Sequence, residues 1–196
     1  MPRSSASRTE AGRKAIVCSG HMIDAPGRSE PRFPPAKEQA VRKGIAEQLA
    51  RWNVGAGDTG ISGGACGADI LFAEECLARG ASVVLLIALP EEEFLARSVS
   101  FADADWEPRY RALRSRCETR FQHEALRPPA KGDNAFERNN LWCLEVARSL
   151  APPGRIHALL VWNGKPGGDG PGGTSDFAAR VKRGGGRVAV IDPGTA

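Results

Sequence analysis

The chain has 196 residues, 41% of them hydrophobic, and a formal net charge of +4. That is enough apolar content for a packed core in one domain-sized chain, which excludes wholesale disorder. No run of about 18 apolar residues occurs, so no segment reads as membrane-spanning, and no basic run is interleaved with aromatics, which argues against nucleic acid as a partner.

Residues 1–13 are rich in Ser, Arg and Ala and lack the apolar core of a signal peptide. They read as a disordered tail, with residues 14–196 as a single domain of a cytoplasmic protein. Residues 14–23 (KAIVCSGHMI) form a buried strand that ends in a polar loop. Residues 24–35 hold four prolines, which exclude regular structure. Over 36–52 the apolar residues Ala40, Val41, Ile45, Leu49 and Trp52 recur at helical spacing. A short strand over 59–64 then runs into a glycine-rich turn, followed by a helix over 68–79 and an almost wholly apolar strand over 82–89 (SVVLLIAL). Residues 94–118 read as helical with a break near 102–105, and 119–124 as a short strand. Asn134, with Glu137 three residues later, has the pattern of a helix start, and that helix runs to about 151. A strand over 155–162, a glycine loop over 163–173, a helix over 175–183 and a strand over 187–192 complete the chain. Parallel strands need crossover helices, so this alternation predicts an α/β fold with a doubly wound, mostly parallel sheet in three α/β/α layers.

The chemistry concentrates at two glycine-rich turns, Gly63-Gly64-Ala65-Cys66-Gly67 and Gly170-Pro171-Gly172-Gly173-Thr174. Each follows a strand and opens a helix, where backbone N–H groups and the helix dipole attract anions. Gly63, Gly64, Ala65, Gly67, Gly172, Gly173 and Thr174 are therefore candidate ligand-binding residues, with a packing turn or a surface loop as the plainer reading. The first turn has neither the G-x-G-x-x-G spacing nor the Lys of a P-loop. In the loop after the first strand, Gly20, His21 and Arg28 are further candidates, because residues beyond a strand's carboxyl end face the ligand crevice. Arg138, Asn139 and Asn140 form another group: consecutive Asn in a helix cost propensity, which often marks a functional constraint. Asp69 and Asp176, each in a first helical turn, are the candidate catalytic carboxylates. The cysteines form no C-x-x-C pair, so neither zinc nor redox chemistry is signalled. Cys66 stands out only because a helix N-terminus lowers a thiol pKa.

The segments AIVCSGHMID, SGGACGADILFAEECLARGA and GPGGTSDFA resemble the SLOG superfamily, a Rossmann-like group that includes the Smf/DprA and LOG (lonely guy) proteins. PEEEFLARSVSF and AFERNNLWCLEVA are similar to an uncharacterised bacterial subgroup linked to signalling. The resemblance implies a nucleotide or nucleotide-derived ligand at the glycine turns, sensed in bacterial signalling or defence. It also implies an alternative, N-glycosidic cleavage of nucleoside monophosphates as in LOG phosphoribohydrolases. Those enzymes carry P-G-G-x-G-T-x-x-E; here Pro171-Gly172-Gly173-Thr174 is shorter, and Ala178 stands where the catalytic Glu is expected. The expectation is thus a nucleotide-like small-molecule partner, no cofactor, no metal, no membrane and no nucleic acid, with binding favoured over catalysis. A non-catalytic interaction module, self-associating or joined to a signalling effector, is the remaining reading.

Overall fold

The computed structural model describes residues 12–102, 105–164 and 174–196. The expected tail over 1–13 therefore lies almost wholly outside the described residues, as do Gly170, Pro171, Gly172 and Gly173 of the second glycine turn.

Apolar runs such as SVVLLI and IHALLV become the inner strands because both of their faces are covered. The strands are β1 (Ala15–Gly20), β2 (Thr59–Ser62), β3 (Ser82–Ile87), β4 (Glu118–Phe121), β5 (Ile156–Val161) and β6 (Val188–Ile191). The helices are α1 (Glu38–Arg51), α2 (Ala68–Ala78), α3 (Glu91–Ser98), α4 (Trp106–Arg114), α5 (Gln122–Ala125), α6 (Ala135–Leu150) and α7 (Thr174–Arg183). Among the described residues the strands form one sheet in the order β4-β3-β2-β1-β5-β6, every pairing parallel. Register is set at the centre, where Ala15 of β1 lies opposite Thr59 of β2 and Ile156 of β5.

Side chains alternate across the pleat, so one strand feeds both layers. Ile16 and Cys18 of β1 pack with α1, α2, α3 and α4. Ala15 and Val17 face the other way, with Trp142 and Ala147 of α6 and Phe177 and Val181 of α7. The first crossovers thus cover one face and the last two the other, which is the doubly wound, Rossmann-like three-layer arrangement. Charge reinforces the first layer. Glu74 of α2 meets Arg42 of α1 and Arg109 of α4, and Arg109 also reaches Glu38 at 2.9 Å. Burial opposes the charge on Glu74, but the two guanidinium groups outweigh it and hold the carboxyl below its ordinary range.

One element differs from the sequence reading. The strand expected over 119–124 stops at Phe121, and residues 122–125 turn into α5. Buried Gln122 donates to Ala135 O (3.1 Å) and Asn139 Oδ1 (3.4 Å), and these bonds to α6 pull the chain out of the sheet. All five cysteines are free; Cys18, Cys66, Cys76 and Cys143 are buried and Cys117 is half-buried. No helix among the described residues is long and apolar enough to cross a membrane.

Candidate functional site

β1 and β5 are neighbours, but the chain leaves them in opposite directions. β1 leads through α1 towards β2, whereas β5 is entered from α6 and left through α7. Loops that diverge from adjacent strand ends open a crevice at the carboxyl edge of the sheet. A cleft of about 550 Å³ lies there. Gly20 and His21 reach it from the end of β1, Gly63, Ala65 and Asp69 from the turn after β2, and Trp162 and Asn163 from the end of β5. Helix α6 contributes Phe136 and Glu137 of its first turn and Asn139 and Asn140 of its second, and α7 contributes its first residue, Thr174.

The first glycine turn does not present a row of free amides. Gly64 N–H donates to Ser62 Oγ (3.2 Å), Ala65 N–H to Asp69 Oδ2 (3.2 Å), Cys66 N–H to Ser98 O (2.8 Å) and Ala68 N–H to His21 O (3.2 Å). The protein's own carboxylate thus occupies a position that an anion would take. Gly63 makes that arrangement fit, since a Cβ there would stand 2.8 Å from Asp69 Oδ2. Gly64 faces inward onto Ile87 and Tyr110 and does not line the cleft. Gly67, with φ +92°, caps α2 against the backbone of residues 21–23 and is also outside the lining. Gly20 is tight for a packing reason: Val161 and Ala68 lie within 2.9 Å of where its Cβ would be.

Asp69 is half-buried. Burial raises its pKa to about 7, against the opposing pull of the Ala65 amide and the Cys18 thiol. Near neutral pH the cleft therefore holds a carboxyl group poised between acid and carboxylate. Asp176, the other candidate carboxylate, pairs with Arg180 at 2.6 Å one turn along α7 and does not line the cleft.

The loop over 24–33 supplies the positive side. Asp24 folds it back: Oδ2 accepts the amides of Arg32 (2.8 Å) and Phe33 (2.9 Å), and fully buried Phe33 anchors it in the core. This brings Arg28 and Arg32 to the cleft wall. Arg28 is already engaged, donating to Glu30 O (2.9 Å) and lying 3.4 Å from Asp24 Oδ1. Among the described residues no carboxylate lies within ion-pair distance of Arg32, and its buried Nε has no hydrogen-bond partner. Burial, together with neighbouring Arg28, lowers its pKa from an ordinary arginine's, which leaves it charged at neutral pH. His21 Nε2 donates to Asn163 Oδ1 at 3.3 Å. Burial lowers its pKa more than that bond raises it, so the ring is neutral near pH 7 rather than an imidazolium.

The α6 residues divide. Asn134 caps the helix, its Oδ1 accepting from Phe136 N (2.9 Å) and Glu137 N (3.3 Å). Buried Asn139 lines the cleft but holds the fold: its Nδ2 donates to Leu86 O of β3 at 2.7 Å. Its helical cost is thus offset by a sheet contact. Asn140 lines the cleft. Arg138 points away, donating to Arg127 O (2.5 Å) and Gln122 Oε1 (3.4 Å). Gly172 and Gly173 lie outside the described residues.

Sequence reasoning passed over Arg32 and Phe136, a cleft residue of α6 that is 38% exposed with the Arg97 guanidinium 5.6 Å from its ring. The signals were present but weak: a lone apolar Phe33 inside a proline-rich loop, and an aromatic in a helix's first turn. Cys66 is fully buried, as suits a small residue in a tight turn, and burial pushes its thiol up to about 12, overriding any helix-end effect. No group of three or more His, Cys, Asp or Glu side chains able to hold a metal occurs among the described residues.

No family model matches the chain, and no curated protein matches it. Among solved structures it is similar to the Moco carrier protein of Chlamydomonas reinhardtii, at 13% identity and a TM-score of 0.36, over 93% of this chain and 91% of that one. A second structure of that carrier aligns at 12% identity and a TM-score of 0.34, over 93% of this chain and 92% of that one. DNA processing protein A (DprA) of Streptococcus pneumoniae aligns at 14% identity and a TM-score of 0.39, over 91% of this chain and 59% of that one. In the order of its elements and its all-parallel sheet, the chain has a Rossmann-like α/β fold.

Proposed function

We propose that the carboxyl-edge cleft binds a small anionic ligand of nucleotide type, and that the protein senses it in bacterial signalling or defence. The observation that carries this reading is Arg32. A guanidinium with no carboxylate partner and a buried, unpartnered Nε in a 550 Å³ cleft is costly unless an acceptor joins it. A phosphate oxygen is the acceptor that a planar guanidinium fits best. Phe136 and Trp162 offer aromatic surface for a base.

Differential scanning with AMP, ADP-ribose, NAD and cyclic nucleotides tests the proposal, since a ligand that binds only the native state raises Tm. A nucleotide that stabilises the wild type but not Arg32→Gln supports it. If none of the panel moves the melting curve, or if Arg32→Gln responds like the wild type, the reading fails.

Asp69 favours a second reading, N-glycosidic cleavage. A carboxyl group with a pKa near neutrality can donate a proton to a departing base or, ionised, stabilise an oxocarbenium-like sugar. Chromatography of nucleoside monophosphates incubated with wild type and Asp69→Asn decides it. Base release that disappears in the variant establishes catalysis; its absence in the wild type at high protein concentration removes it.

A further inference from the structure

A second cleft, of about 520 Å³, lies at the opposite, amino edge of the sheet. Its wall is assembled from separate segments: Arg13 and Lys14 lead into β1, Arg51 ends α1, Arg155 leads into β5 and Arg187 into β6. The acid that lines it among the described residues is Asp58, and Asp58 is fully occupied. It accepts the amides of Lys14 (3.0 Å) and Gly55 (3.1 Å) and pairs with Lys14 Nζ at 3.0 Å. Arg51 has a carboxylate, Glu47, at 3.5 Å, but both side chains are at least half exposed, where water screens such a pair. Among the described residues Arg13, Arg155 and Arg187 have no carboxylate within ion-pair distance.

Helix C-termini attract cations, and this accounts for Arg51 at the end of α1. It does not account for Arg13, Arg155 and Arg187, which precede strands. His157 records the resulting field: burial, then Arg187, Lys14 and Arg155, lower its pKa and keep its ring neutral. A concave wall of like charges concentrates potential and favours an anion that can touch several of them at once. The cleft encloses a volume suited to a small molecule, not an extended track for a nucleic-acid backbone.

We propose that the amino-edge cleft is a binding site for a compact polyanion, a chain of two or three phosphoryl groups held by Arg155, Arg187 and Arg51. The site is independent of the carboxyl-edge cleft, because it stands at the other end of the same two strands, β1 and β5. The phosphoryl chain is either free inorganic polyphosphate or the phosphate tail of a nucleotide.

Calorimetric titration of the full chain with inorganic tripolyphosphate tests this, run in an Arg32→Gln background so that the carboxyl-edge cleft does not contribute. The expected result is saturable one-to-one binding that weakens at least about tenfold in Arg155→Gln/Arg187→Gln, since each lost charge-assisted contact removes a factor of that order. ATP titrated in parallel separates the sources: equal affinity assigns the free polyphosphate, and tighter binding that is still lost in the double variant assigns the nucleotide tail. Should the double variant lose its far-UV spectrum, Arg13→Gln/Arg51→Gln, at two exposed positions, replaces it with the same expected loss. Absence of saturable binding, affinity indifferent to both double variants, or a single-stranded oligonucleotide that binds and is not displaced by tripolyphosphate overturns the proposal.

Discussion

The two ends of β1 and β5 share strands and core but differ in how they handle charge. At the carboxyl edge the chain curls back on itself: Asp69 takes the Ala65 amide, Asp24 takes two amides of its loop, and His21 pairs with Asn163. Among the described residues, Arg32 Nε and Asp24 Oδ1 are buried in that loop without a hydrogen-bond partner. At the amino edge the acid that lines the cleft among the described residues, Asp58, is saturated by its neighbours, and Arg13, Arg155 and Arg187 have no described carboxylate within ion-pair distance. The carboxyl edge is thus a mixed-charge site and the amino edge a mainly basic one. Their rims differ in crowding at Gly67 and Gly57, while both edges contain close backbone contacts: a Cβ at Gly186, beside Arg187, would overlap Ile156 O.

The sharpest way to break that contrast is a pair of glycines with the same φ of +92°. A Cβ at Gly67 would stand 2.6 Å from Ile23 N, whereas at Gly57, on the amino-edge rim, nothing lies within 4 Å. Gly67→Ala should cost about 3 kcal/mol or more, from backbone strain and steric overlap together. Gly57→Ala should cost about 1–2 kcal/mol, from strain alone. Urea denaturation of both variants measures the difference; equal losses would show that the two rims are equally tolerant at these positions.

Next in size is Asn139→Ala, which removes the bond to Leu86 O and should lower stability by about 2 kcal/mol in the same denaturation assay. A loss confined to ligand affinity, with stability intact, would return Asn139 to a purely recognition role.

Asp69 gives the carboxyl edge a pH signature of its own. Its folded pKa, about 7, exceeds the unfolded carboxyl value of roughly 3.9. Between these two values the folded state holds a proton that the unfolded state has lost, so this group's contribution falls as pH rises from about 4 to about 7. Asp69→Asn does not ionise there. Its stability relative to wild type should therefore improve by about 2–3 kcal/mol between pH 5 and pH 8. A pH-independent difference would place the carboxyl in ordinary solvent contact.

The smallest stability effect is expected at Arg155, whose Gln variant should shift unfolding by less than about 0.5 kcal/mol, as no carboxylate among the described residues lies within ion-pair distance of it. Arg32→Gln should lose no stability, because it removes a buried Nε that has no hydrogen-bond partner. Paired with the binding assays above, a clear loss in either would mark a structural role.

The strand and helix alternation was legible because apolar runs and helical spacing are local signals. Residues such as Val41, Ile45 and Leu49 announce a buried helix face without reference to anything distant. The site was legible only in part. Asn139 was visible as a helical cost, but its cause, a carbonyl 53 positions away in β3, was not. Arg138 beside it looked equivalent and turns the other way. Arg32 reaches the cleft through a fold-back organised by Asp24 and Phe33, which no periodicity encodes. The amino-edge cleft escaped for the same reason. Its arginines are scattered singly along the chain, and only the sheet order gathers them.

The unequal burial of the thiols has a practical consequence. Of the five free cysteines only Cys117, between α4 and β4, is partly accessible, while burial raises the pKa of the other four. A maleimide dye should therefore attach once, without any engineered mutation. It would be slow, because partial burial raises the Cys117 pKa as well. The attachment point precedes β4, the outermost strand on its side, three strands from β1 and roughly 14 Å across the sheet. The native chain thus carries its own reporter position, close enough to follow events at either rim and far enough not to block them.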